Sequence, residues 1–144
     1  MIIQSIADIP EICFRKQVRR VVISPGSRRA HITLAFAQHQ GIEKYVIPDE
    51  RAAAYIALGM SYADGQPTAL VCTSGTAGIN FYPAITEAYY QQLPLIVFTA
   101  DRPPEWVDQQ DGQTIRQKNL FQNHIKGYFD FPLPDGHKDT LWHS

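Results

Sequence analysis

Tyr45-Val46-Ile47-Pro48-Asp49-Glu50-Arg51-Ala52-Ala53-Ala54-Tyr55-Ile56-Ala57-Leu58-Gly59 is the stretch around which the chain is organised. An apolar triplet, read as a short buried strand, meets a proline and passes into an Ala-rich helix. Asp49 and Glu50 fall at the helix start, where exposed N–H groups and the macrodipole favour negative charge. That alone accounts for both acids, with no function attached. The alternative puts Glu50 in a cleft at the carboxyl end of the strand, where open α/β sheets bind ligands.

The same alternation extends both ways from this stretch. Upstream, apolar residues near helical spacing (Ile6, Ile9, Ile12, Cys13) predict a helix over 3–16, started or interrupted by Pro10. Arg19-Arg20-Val21-Val22-Ile23-Ser24 rises into a strand, Pro25-Gly26-Ser27 is a tight turn, and Ser27 an N-cap. A helix over 28–39 follows, with Ile32, Leu34, Ala35 and Phe36 as its apolar stripe and Gly41 at its end. Downstream, the helix over 49–63 closes at Asp64-Gly65, and Thr68-Ala69-Leu70-Val71-Cys72-Thr73 is a strand. Ser74-Gly75-Thr76 turns into a helix near 77–91, and Leu95-Ile96-Val97-Phe98-Thr99 is a fourth strand. Apolar strands alternating with amphipathic helices predict an α/β fold: a doubly wound parallel sheet with helices on both faces.

Beyond Thr99 the pattern changes. Residues 100–111 read as a long loop, 114–125 as a helix, and Tyr128-Phe129-Asp130-Phe131 as a last strand. The domain therefore spans 1–131, and 132–144 is a tail or the start of a linker to further domains.

Composition sets bounds on the partners. The chain has 144 residues, 44% of them apolar and 19% charged, with a formal net charge of −1. These values suit one globular domain with a real core and give no reason to expect nucleic acid or an acidic membrane as partner. The sequence shows no signal peptide and no apolar run of membrane-spanning length. Cys13 and Cys72 lack metal-ligand spacing, and the five histidines form no H-x-x-x-H pair. No metal site built from this chain alone is expected, and a reducing, cytoplasmic setting fits the cysteines best.

Each strand ends in a turn able to carry chemistry, all on one edge of the sheet. Pro25-Gly26-Ser27-Arg28-Arg29 combines a close-approach glycine, a helix start and a guanidinium fork for a carboxylate or phosphate. The same residues also make an ordinary βα turn with solvated arginines. Asp49-Glu50 is the second turn. Thr73-Ser74-Gly75-Thr76-Ala77-Gly78 is Gly-rich, yet it lacks the Lys of a P-loop and the G-x-G-x-x-G spacing of a dinucleotide site. In Thr99-Ala100-Asp101-Arg102-Pro103-Pro104-Glu105 the prolines hold Arg102 in place, either to grip an anion or to pair with Asp101 or Glu105. No Ser-His-Asp or Cys-His arrangement is legible, which sets aside hydrolysis by a side-chain nucleophile.

Taken together, D-E-R-x-x-x-x-x-A-L-G, T-S-G-T-A, the helix with Tyr82-Pro83-Ala84, and A-D-R-P-P-E resemble the N-terminal pyrimidine-binding domain of thiamine diphosphate enzymes. Pro25-Gly26-Ser27-Arg28, Ala100-Asp101-Arg102-Pro103-Pro104-Glu105 and Gly112-Gln113-Thr114-Ile115-Arg116-Gln117 are similar to the menaquinone-pathway branch of that superfamily. The match covers about residues 21–122.

The resemblance implies a thiamine diphosphate cofactor, with Mg2+ or Mn2+ held by a separate C-terminal domain. The glutamate matching Glu50 would hydrogen-bond N1′ of the aminopyrimidine and promote its imino tautomer. Ser74, Gly75 and Thr76 would lie beside the pyrimidine. Ser27, Arg28, Arg102 and Gln113 would line the substrate pocket, gripping carboxylates. The implied reaction decarboxylates 2-oxoglutarate and adds the resulting carbanion to isochorismate. The implied assembly is a homo-oligomer whose sites form with the diphosphate-binding domain of a second subunit.

Two departures stand out. The family's P-G-S-R-S-x-P is here Pro25-Gly26-Ser27-Arg28-Arg29-Ala30-His31, which adds charge beside the pocket and lacks the helix-start proline. The G-D-G…N segment that holds diphosphate and metal is absent from these 144 residues, so the chain is expected to be a fragment, inactive alone. Two other readings remain open at this level. One is another thiamine enzyme, acetolactate synthase-like or a 2-oxoacid decarboxylase. The other is a non-catalytic partner-binding module using Ile79, Phe81, Tyr82, Tyr89 and Tyr90.

Overall fold

The computed structural model describes residues 4–26 and 30–131; Ser27, Arg28 and the expected tail over 132–144 lie outside the described residues. Four strands, β1 (Arg20–Ile23), β2 (Glu43–Val46), β3 (Thr68–Cys72) and β4 (Leu95–Thr99), form one parallel sheet in the order β2-β1-β3-β4. Val22 lies beside Tyr45 on one side and Leu70 on the other, and Cys72 beside Thr99. Between the strands run α2 (Ala30–Gln38), α3 (Glu50–Asp64) and α4 (Thr76–Gln91), and α1 (Gln4–Arg15) precedes them.

Side chains on a strand alternate between its faces, and the core divides accordingly. Val21, Ile23, Ala69 and Val71 share one cluster with Ile9 and Cys13 of α1 and Phe36 of α2. Val22, Leu70 and Cys72 pack instead with Ala53, Ala54 and Ala57 of α3 and Phe81, Ala84 and Ile85 of α4. The central strands are thus covered on both faces, which is the doubly wound arrangement expected. Alanines along α3 let its backbone lie close to the sheet and to α4. α1 runs unbroken through Pro10, which is fully buried with Ile9 and Cys13. Burial of that face offsets the hydrogen bond the proline removes.

Helix ends follow local rules. Asp49 is the N-cap of α3, its carboxylate accepting from Ala52 N at 2.6 Å. Gly65 closes the helix at φ 70°, donating to Ser61 O. Gly41 is a correction, because α2 ends at Gln38 and Gly41 has no positive φ. What it provides is room, since a Cβ there would stand 2.5 Å from the Phe14 ring.

Three further expectations change. The buried strand expected at 45–47 is an edge strand, with Val46 62% exposed. Among the described residues it pairs with β1 alone, and its Glu43 and Lys44 are the charges that keep such an edge soluble. No helix forms over 114–125; a 3₁₀ turn, Gln122–His124, is all that appears there. Gln113 and Asn119 sit at φ 58° and 62°, and a left-handed residue ends α-helical propagation. The strand expected at 128–131 does not form either. It has no neighbour to pair with among the described residues, and Phe129 is 86% exposed.

Candidate functional site

Because all four strands are parallel, the residues that follow them leave the sheet on one edge. The chain runs outward from β1 to β2, then returns to the other side of β1 as β3. The carboxyl ends of β1 and β3 therefore flank a topological switch point, the place where open α/β sheets hold ligands. The two turns meet there: a Cβ on Gly26 would fall 2.6 Å from Cβ of Thr73. Ser24 N and Ala100 N extend the ladder by bonding Val71 O and Cys72 O, which carries β1 and β4 to the same edge.

Glu50 opens α3 just past β2 and is half-buried. Asp49 performs the capping, so Glu50 is not needed for it. Among the described residues the Glu50 carboxylate has neither a hydrogen-bond nor an ion-pair partner. A half-buried carboxylate with no bonded partner among the described residues is available to a ligand.

The turn after β3 is held from outside. Ser74 and Gly75 are buried, whereas Thr76 is exposed. Ser74 Oγ donates to Gln113 O at 2.8 Å, and Gly75 N donates to Gln117 Oε1 at 2.7 Å. Gly75 adopts φ 83°, ψ −142°, and a Cβ there would lie 2.8 Å from the Gln113 backbone. Only glycine fits this position.

The turn after β4 is built around Arg102, whose side chain is 4% exposed. It donates to Gly112 O at 2.9 Å, is ion-paired with Asp111, and stacks over Trp106 at 5.0 Å. The sequence offered Asp101 or Glu105 as its partner; Asp111 takes that place. Asp101 instead accepts from the Arg102 backbone N–H at 2.7 Å. Desolvation raises the Asp101 carboxyl above its ordinary pKa, opposed by that bond and reinforced by Asp130.

Three buried polar atoms along this edge find no hydrogen-bond partner among the described residues: Ser24 Oγ, Thr73 Oγ1 and Arg102 Nε. Such atoms are costly when left unmade, and a fourth, Thr33 Oγ1, lies in α2 away from the strand ends. No group of acidic, His or Cys residues able to hold a metal occurs among the described residues.

Of the residues singled out from sequence, Glu50, Ser74, Gly75, Thr76, Arg102 and Gln113 all follow strand ends on this edge or pack against them. Ser27 and Arg28 lie outside the described residues. Sequence reasoning missed Asp111 and Gln117, whose roles depend on the path of the 107–117 segment. It also missed the unmet hydroxyls of Ser24 and Thr73, ordinary strand-end residues by sequence.

Residues 7–127 match the family model described as thiamine pyrophosphate enzyme, N-terminal TPP binding domain. The chain belongs to that family. It is 54% identical over 141 residues to a 2-succinyl-5-enolpyruvyl-6-hydroxy-3-cyclohexene-1-carboxylate synthase of Cytophaga hutchinsonii, covering 98% of this chain and 25% of the relative. It is 56% identical over 114 residues to a protein of the same name from Christiangramia forsetii, covering 79% of this chain and 20% of the relative. A third, from Porphyromonas gingivalis, is 50% identical over 129 residues, covering 90% and 22%. The chain thus spans about a quarter or less of the relatives it matches. Like other members of its family it carries an N-terminal thiamine diphosphate-binding domain, and no described helix is long and apolar enough to cross a membrane.

Proposed function

We propose that this chain is the pyrimidine-binding domain of a synthase that decarboxylates 2-oxoglutarate and joins the remaining four carbons to isochorismate, in menaquinone biosynthesis. The observation that carries the reading is Glu50, a half-buried carboxylate with no partner among the described residues, at the helix start beside the strand edge. Identity above 50% to relatives bearing the synthase name supports the choice of reaction within the family. Thiamine diphosphate, when bound, supplies the electron sink that makes loss of carbon dioxide from a 2-oxo acid feasible.

In this reading Glu50 holds a proton shared with N1′ of the aminopyrimidine. A weakly basic ring nitrogen needs a positioned acid beside it, and Glu50 has no competing local bond to break. Ser74, Gly75 and Thr76 form the wall on which the pyrimidine rests, with Gly75 letting the backbone come close. Arg102 grips a substrate carboxylate, assisted by Gln113 and by Ser27 and Arg28. Both substrates are polyanions, and a guanidinium fork matches a carboxylate in shape as well as charge. The diphosphate and its Mg2+ or Mn2+ are held by another domain, contributed by a second subunit of a homo-oligomer. These 144 residues alone are therefore inactive. Soluble anionic substrates and two free buried cysteines suit the cytoplasm.

The test is turnover. The full-length protein is incubated with thiamine diphosphate, Mg2+, 2-oxoglutarate and isochorismate, and product is followed by mass. Formation of the succinylated product is expected, and pyruvate in place of 2-oxoglutarate should fail. Turnover of pyruvate with no use of isochorismate would overturn the assignment, as would turnover by the isolated chain.

A further inference from the structure

Gln117 is buried in a segment that otherwise lacks regular structure, and both ends of its amide are used. Oε1 accepts from Gly75 N at 2.7 Å, and Nε2 donates to Ala100 O at 2.8 Å. One side chain thus joins the turn after β3 to the first residue after β4. Gly75 precedes α4 with no side-chain cap, so its N–H would otherwise be a buried orphan. A planar peptide has its C=O opposite its N–H, so fixing the Gly75 N–H also fixes the direction of the Ser74 carbonyl. The Gly75 conformation belongs to a region that only glycine visits, and such a backbone persists where its surroundings hold it.

We propose that Gln117 is a positioning residue for the cofactor: it locks the Ser74-Gly75 turn and ties it to the strand end that carries Arg102. The inference rests on the reading of this edge as the pyrimidine site. Few side chains meet the requirement. The acceptor must face an N–H and the donor a C=O at fixed separation, which a primary amide satisfies and a carboxylate does not. Methionine matches glutamine in length and supplies neither bond. Ionised glutamate keeps the Gly75 bond but sets a negative charge against the Ala100 carbonyl. Protonated glutamate restores both bonds.

The experiment uses the full-length protein stripped of cofactor, with thiamine diphosphate binding measured by equilibrium dialysis in Mg2+. Gln117→Met is expected to weaken binding tenfold or more while KM for 2-oxoglutarate changes less than threefold. Amide hydrogen exchange over 73–77 is expected to accelerate in the same variant. Gln117→Glu keeps the inference falsifiable if the Met variant does not fold. Its binding, relative to wild type at each pH, should be weakened at pH 8 and recover toward pH 6. Cofactor binding within twofold of wild type for the Met variant, or a flat ratio across pH for the Glu variant, overturns the role of Gln117. Wild-type protein that binds no thiamine diphosphate defeats the reading of the edge itself, and this inference with it.

Discussion

Arg102 and Asp111 form a buried-to-exposed ion pair, with the guanidinium side chain 4% exposed and the carboxylate 38%. The pair folds the segment after β4 back onto its own arginine, and Trp106 covers the guanidinium face. Arg102 Nε is left buried and unbonded among the described residues. The arginine is therefore already oriented before any substrate arrives, held through Nη2 by Gly112 O and Asp111.

Removing the guanidinium should act on binding more than on chemistry. In the full-length protein, Arg102→Ala is expected to raise substrate KM about 10- to 100-fold, the span of one charged hydrogen bond of ~1.5–3 kcal/mol. The turnover number should fall by a smaller factor. Steady-state kinetics with each substrate varied in turn make the measurement. Unchanged constants would return Arg102 to a purely structural role.

Glu50 calls for the opposite split. Asp49 caps α3 and Glu50 bonds nothing among the described residues, so Glu50→Gln should cost no more than the helix-end charge term, ~0.3–1 kcal/mol. Losing a positioned proton-sharing group typically costs ~10²–10⁴ in rate. Turnover at saturating substrate is expected to drop by that order, with folding unaltered by circular dichroism. Full activity would remove Glu50 from the chemistry.

These two sites differ in how far the sequence disclosed them. The alternation of Val21, Val22 and Ile23 with Ala69, Leu70 and Val71 announced a sheet buried on both faces, and Asp49-Glu50 announced a helix start. Both signals are local. The 107–117 segment has no such signal. Its path depends on Ser74 bonding Gln113 across 39 residues and on left-handed φ values at Asp108, Gln110 and Gln113, none of them glycine. A pattern of apolar residues reports burial and period; it does not report a side chain satisfying a distant backbone group. The same limit explains the helix expected over 114–125, where Ile115, Leu120 and Phe121 suggested a face but Asn119 turns left-handed.

Gly75 tests how rigid the turn after β3 is. Gly75→Ala meets the Gln113 backbone at 2.8 Å and a backbone region closed to residues with a Cβ. A left-handed φ costs ~1–2 kcal/mol and overpacking ~1–3 kcal/mol more. A loss of ~3 kcal/mol in urea unfolding is therefore expected, together with loss of cofactor binding. Gly65→Ala, also at positive φ but with open space around it, should cost only the conformational part. Equal costs for the two substitutions would show that the Gln113 contact is soft.

Cys13 gives the chain an alkaline limit. Burial against the sheet pushes its thiol from 9.0 up to about 11. The folded state thus keeps the thiol neutral where the unfolded chain has already released the proton. Its contribution to stability is complete below the unfolded value and is lost as pH rises through the folded one. Between pH 9 and 11 stability should fall by at most ~1.4 kcal/mol per pH unit from this group. Cys13→Ala removes the titration at the expense of some packing. Urea midpoints of the two proteins, compared at pH 8, 9.5 and 10.5, should converge as pH rises. A constant gap across that range would mean that the Cys13 thiol ionises alike in the folded and unfolded chains.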